Sequence, residues 1–100
     1  MVHDGYRYTF DAKTPLSEVR DSLLLAVFSA EGLHGRVKVR LDSAFEIDEK
    51  RRTCDVDAAT PVGQSIVQIF TGLLAREFGD DAFSVERVET QIAVGRSVAS

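Results

Sequence analysis

The sequence predicts an α+β domain: a two-layer sandwich in which a four-stranded antiparallel sheet carries two helices on one face. Three observations point there. Stretches with a two-residue apolar period and stretches with a helical period follow one another in the order β-α-β-β-α-β. Phe10-Asp11-Ala12-Lys13-Thr14-Pro15 and Val56-Asp57-Ala58-Ala59-Thr60-Pro61 repeat one another 46 positions apart, each as the end of a strand feeding a helix. The offset then persists: Leu16 falls on Val62, Leu23 on Ile69, Leu24 on Phe70, Val27 on Leu73, Phe28 on Leu74, Val37 on Phe83 and Val39 on Val85. An internal period of this kind reads as one strand–helix–strand unit used twice.

Met1 to Gly5 is polar and expected to be loose. Tyr6, Tyr8 and Phe10 alternate with Arg7, Thr9 and Asp11, which is strand periodicity. Thr14 suits an N-cap and Pro15 the first helical position, where its missing amide costs nothing. The first helix should run to about Glu31, with Leu16, Val19, Leu23, Ala26, Val27 and Ala30 on its inward face and Gly32 ending it. Val37, Val39 and Leu41 alternate with Lys38, Arg40 and Asp42, so a second strand is expected from near Arg36 to Ile47. Asp48-Glu49-Lys50-Arg51 is a charged turn, and a third strand returns over about Arg52 to Asp57 with Cys54, Val56 and Ala58 inward. Thr60-Pro61 opens the second helix, whose inward face is Val62, Ile66, Ile69, Phe70 and Leu73, and Gly79 closes it. A fourth strand spans Ala82 to about Val88.

Two such halves with right-handed crossovers give the ferredoxin-like βαββαβ arrangement, strand order 4-1-3-2, with both helices on one face. The whole chain, 1–100, then reads as a single domain with its core over about 6–88 and a tail or additional strand over 89–100. The strands ending at Phe10 and Val56 are expected side by side at the sheet centre and, as equivalent members of the repeat, parallel. The flanks Leu24 and Phe28 are expected to meet their counterparts Phe70 and Leu74 between the helices. The open sheet face should alternate in sign across the strands: Ser84 and Glu86, then Arg7 and Thr9, then Asp55 and Asp57, then Lys38 and Arg40.

Composition narrows the function classes. A net charge of −4 argues against nucleic acid, whose binders carry a basic excess or stripe. The open face also lacks the aromatics that stack RNA bases. A single cysteine leaves no internal disulfide and no C-x-x-C metal loop. No apolar stretch approaches the roughly 20 residues that span a bilayer. The N-terminus shows no basic region followed by an apolar run. A soluble, cytoplasmic domain is the expectation, with no membrane and no nucleic-acid partner.

The candidate sites are few. Thr60, Gly63 and Gln64 at the second helix N-terminus could hold an anion, because amide donors converge there and Gly63 lets a ligand approach; capping alone also explains the pattern. Cys54 reads as a small buried apolar residue. His3 and His34 are far apart in the sequence and read as tail and loop residues, so no metal site and no cofactor is expected. Asp42, Glu46, Asp48 and Glu49 lack the spacing of a calcium loop and read as a solvated turn. Leu25 points away from the sheet on the helical wheel and, with Phe28 near its flank, could seed a contact patch.

No catalytic constellation emerges, so the expected function is a non-catalytic binding or assembly module acting through self-association or a protein partner. Alternatives are an ACT-like regulatory domain that binds a small metabolite at a dimer interface, or an enzyme whose site is completed between subunits. A homodimer is expected through a sheet edge rather than through the helices, with Lys38 and Arg40 on the second strand and Ile92 and Val94 beyond the fourth as contact candidates beside Leu25 and Phe28.

Overall fold

The computed structural model describes residues 3–90. Its elements are β1 (His3–Phe10), α1 (Leu16–His34), α2 (Arg36–Asp42), β2 (Phe45–Asp48), β3 (Thr53–Asp57), α3 (Pro61–Phe78), a 3-10 turn (Asp80–Ala82) and β4 (Phe83–Thr90). The four strands form one sheet in the order β2-β3-β1-β4. This is the expected order. Every neighbouring pair is antiparallel, including β1 with β3, where Tyr6 faces Val56 and Tyr8 faces Cys54. The expectation of parallel central strands was therefore wrong. The β2–β3 hairpin reverses the chain, so the repeat copies the strand but not its direction.

Alternation decides which side of the sheet is covered. Tyr8, Phe10, Cys54, Val56 and Phe45 share one buried core with Val19, Leu23, Ala26 and Ala30 of α1 and Val62, Ile66, Phe70 and Leu74 of α3. The arrangement fits a two-layer sandwich. Tyr8 holds the layers together in two ways. Its ring meets Phe70 edge-on at 4.8 Å, and its hydroxyl reaches Thr71 Oγ1 at 2.7 Å and donates to the Val67 carbonyl at 3.3 Å.

The largest departure from expectation is at residues 36–42, which form a third helix rather than the start of β2. Only four residues, Phe45–Asp48, pair with β3, and β3 itself is five residues long. A strand reaching back to Arg36 would have run past its partner and left its amides unpaired. As a helix the segment satisfies them internally, with Val39 N donating to Gly35 O at 3.1 Å and Ser43 N to Val39 O at 3.0 Å. The helix sends Val39 inward and leaves Val37 and Leu41 outside, whereas a strand would have placed all three together. Gly35, at φ +90°, makes the turn between α1 and α2 in a conformation that favours glycine, so α1 runs past Gly32 to His34.

Smaller corrections follow. β1 begins at His3, where it pairs with Thr90 of β4, so the start of the described chain is not loose. Ile69 and Leu73 are only half-buried, and Leu74 fills the inward place. Leu24 and Phe28 do not meet Phe70 and Leu74 in a buried seam; both are exposed. On the open sheet face Arg7 lies between Asp55 and Glu86 in register, as the alternating pattern required. Its guanidinium grips Asp55 through two bonds, Nε to Oδ1 at 2.8 Å and Nη2 to Oδ2 at 2.9 Å. The alternation fails at the next strand. Glu46 of β2 stands opposite Asp55, because Lys38 and Arg40 are on α2. Ile92 and Val94 lie outside the described residues.

Candidate functional site

The two strand-to-helix junctions are built differently despite their similar sequences. At the first, the Asp11 carboxylate accepts from Lys13 N, Thr14 N and Thr14 Oγ1, and these bonds, Thr14 Oγ1 first, hold its pKa below the usual carboxylate value. Pro15 rather than Thr14 is the N-cap, so α1 starts one residue later than expected, and Thr14 is drawn back towards Asp11. Arg52, a non-glycine residue at φ 56°, turns its guanidinium onto the Asp11 and Thr14 carbonyls and closes the junction from the β2–β3 turn. At the second junction Asp57 is wholly buried. It accepts from Ala59 N at 2.9 Å through Oδ1, while His3 Nδ1 lies 2.6 Å from Oδ2. Asp57 was expected on the open face and His3 in a loose tail; their contact was legible in neither.

The anion candidates Thr60, Gly63 and Gln64 are brought together at the start of α3, and each is engaged within the chain. Thr60 Oγ1 accepts from Gly63 N at 3.1 Å and donates to the Asp42 carbonyl at 3.0 Å. Gln64 Nε2 donates to the Ala58 carbonyl at 3.4 Å. A Cβ added to Gly63 would fall 2.1 Å from the Asp57 carbonyl oxygen. Close approach of this chain's own backbone therefore explains the glycine.

Cys54 is free and fully buried, and burial pushes its thiol pKa up, which suppresses the reactive thiolate. Burial likewise pushes the Tyr8 hydroxyl up to about 12. His34 ends α1 with Nε2 2.8 Å from Ser65 Oγ on α3, far from any loop role. Among the described residues no three His, Cys, Asp or Glu side chains group as a metal set. The acidic residues around β2 are spread over separate partners: Asp42 faces Lys38, Asp48 faces Arg51 and Glu49 faces Arg20.

Among the described residues, nothing covers the outward side of α1 and α2. The core side of α1 carries Val19, Leu23, Ala26 and Ala30. Phe28 stands opposite them on the helical wheel, with Leu24 and Leu25 beside it, and Phe28 is 70% exposed. Leu33 near the end of α1, and Val37 and Leu41 on α2, are exposed as well. An open groove of about 550 Å³ runs along α2, with Val37 and Leu41 in its lining beside Arg36 and Lys38. Of the contact candidates, then, the structure places Leu25 and Phe28 together on one helix face, and Lys38 and Arg40 on the neighbouring short helix. Leu24, Leu33, Val37 and Leu41 were missed. Only Leu24 carried a signal in the sequence, as a large residue outside the inward stripe of α1 while two of its inward positions are alanine; Leu33 continues that stripe beyond the core, and Val37 and Leu41 read equally well as strand residues.

No family model matches this chain, and no curated protein and no solved structure is significantly similar to it. No helix among the described residues is long and apolar enough to cross a membrane.

Proposed function

We propose that this chain is a non-catalytic binding or assembly module whose contact surface is the outward side of α1 and α2. One observation carries the reading. The large apolar residues Leu24, Leu25 and Phe28 face out of α1 while Ala26 and Ala30 face in. A helix that only had to cover a sheet gains nothing from that arrangement, and concentrated apolar surface of this kind marks an interaction site. Readings that place a metabolite or an anion at Thr60, Gly63 and Gln64 have less support, because those groups already serve one another and the adjoining backbone.

The fold belongs to this proposal in its finer form. We infer the ferredoxin-like split βαβ arrangement from the strand order, the all-antiparallel pairing and the placement of α1 and α3 between strands, with α2 as an insertion before β2. Fold at this level selects no function by itself. A cytoplasmic setting is part of the same reading.

The test is a photo-reactive benzophenone side chain introduced at Phe28 and, separately, at Gln68 on the outward face of α3, in the native host. The module reading expects protein cross-links from position 28 and none from 68. No cross-link at 28, or equal cross-linking at both, overturns it.

A further inference from the structure

Building on that contact surface, we propose that its occupant is a second copy of this chain, packed antiparallel through the outward faces of the two α1 helices with the twofold axis close to Phe28. Charge supports this first. On the outward side the region runs from acidic to apolar to basic, with Glu18 and Asp21, then Leu24, Leu25 and Phe28, then Arg36 and Arg40 of α2, while Arg20, engaged with Glu49, and the half-buried Glu31 stand towards the flank of α1. None of Glu18, Asp21, Arg36 and Arg40 has an ion-pair partner among the described residues. A twofold axis in the middle of such a gradient sets each acidic end on the other copy's basic end, while a parallel arrangement sets like on like.

Shape supports it second. Gly32 lies one turn beyond Phe28 on the same face, with nothing within 4 Å of the place a Cβ would take. With the axis at Phe28, position 24 of one helix faces position 32 of the other. Leu24 of each copy then fits over the glycine of its partner, the ridge-and-groove fit that lets helices pack closely.

Area supports it third. Leu24, Leu25, Phe28, Val37 and Leu41 together expose apolar surface on the order of several hundred Å², which with the flanking charged side chains approaches the roughly 800 Å² per partner in a stable complex. Association through the β2 edge has less support than the sequence suggested, because β2 is four residues long rather than twelve; the eight-residue β4 is the other edge of the sheet, and association there is an alternative outcome of the test below.

Sedimentation velocity of the full chain across the micromolar range tests the proposal, with far-UV circular dichroism confirming that each variant is folded. Wild type should sediment as a dimer. Phe28→Glu, at an exposed position, should stay folded and weaken dimerisation by about 30-fold or more, as a central anchor does. Asp21→Lys and Arg36→Glu should each weaken it roughly two- to fivefold, and the double reversal should restore it. A monomeric wild type, a dimer indifferent to Phe28→Glu, or a double reversal that fails to rescue would overturn the proposal. A monomeric purified chain whose position-28 cross-linker still captures a different protein defeats self-association alone; no capture at all defeats the module reading as well.

Discussion

α1 and α3 occupy equivalent places in the repeat, pack against each other and cover the same sheet, yet they distribute their large side chains in opposite ways. α3 turns Val62, Ile66, Phe70 and Leu74 into the core and shows Gln64, Gln68 and Arg76 to the outside. α1 gives the core Val19 and Leu23 in its first half but only Ala26 and Ala30 in its second, and sends Leu24, Leu25 and Phe28 out. The core is therefore closed without the outward residues of α1. Phe70 and Tyr8 already fill the space that Phe28 was expected to share. Equal spacing in a repeat gives equal roles only where the surroundings repeat as well.

The sharpest way to break this comparison is to shorten the aromatic side chain on each helix. Phe70→Ala should cost about 3–5 kcal/mol in urea melts, as buried aromatic truncations do. Phe28→Ala, measured at a concentration too low for association, should fall within about 0.5 kcal/mol of wild type. Comparable losses would mean that the two helices are not differently placed.

Tyr8 ties α3 to the sheet, and alkaline pH should loosen that tie. The folded chain keeps the Tyr8 proton up to about pH 12, while an unfolded chain gives it up near 10. Its stabilisation is therefore complete below pH 10 and drains by about 1.4 kcal/mol per pH unit between those limits. Tyr8→Phe loses the bonds to Thr71 and Val67, costing about 1 kcal/mol at neutral pH, but should show a flatter alkaline limb. Parallel limbs in the two proteins would show that the hydroxyl is not held protonated.

Glycines refine the comparison further. Gly63→Ala drives a methyl group into the Asp57 carbonyl and should destabilise the chain by about 1–3 kcal/mol. Gly72→Ala, in the middle of α3 with open space around it, should stabilise by roughly 0.5–1 kcal/mol through helix propensity. Thermal melts of the two variants that shift in the same direction would contradict the close packing at the start of α3.

Much of the fold was legible because its signals are local. The Tyr6-Tyr8-Phe10 and Cys54-Val56 alternations identified the central strands, and Thr60-Pro61 announced α3 through capping chemistry that the structure retains. Strand order followed from element order. Residues 36–42 misled because Val37, Val39 and Leu41 satisfy a two-residue period as well as they supply one inward and two outward helix positions; the short β3 decided between them. Asp57 was unreadable for a different reason. Its buried carboxylate meets the Ala59 amide two residues on and His3, 54 positions away, and the second of these contacts is not announced by its neighbours in sequence. At the candidate site, Leu25 was visible as an outlier on the wheel. Phe28 was assigned both to the helix–helix seam by symmetry and to a contact patch beside Leu25, and the exposed residues of α2 were hidden by the strand reading.

Whether a second copy binds the outward face of α1 can be read from isotope-filtered NOE measurements on a mixed sample of carbon-13-labelled and unlabelled chains. A dimer packed in this way gives intermolecular contacts from the Phe28 ring to Leu24, Leu25 and Gly32 of the other copy. Intermolecular contacts confined to β4 or the sheet face, with Phe28 showing none, would contradict it.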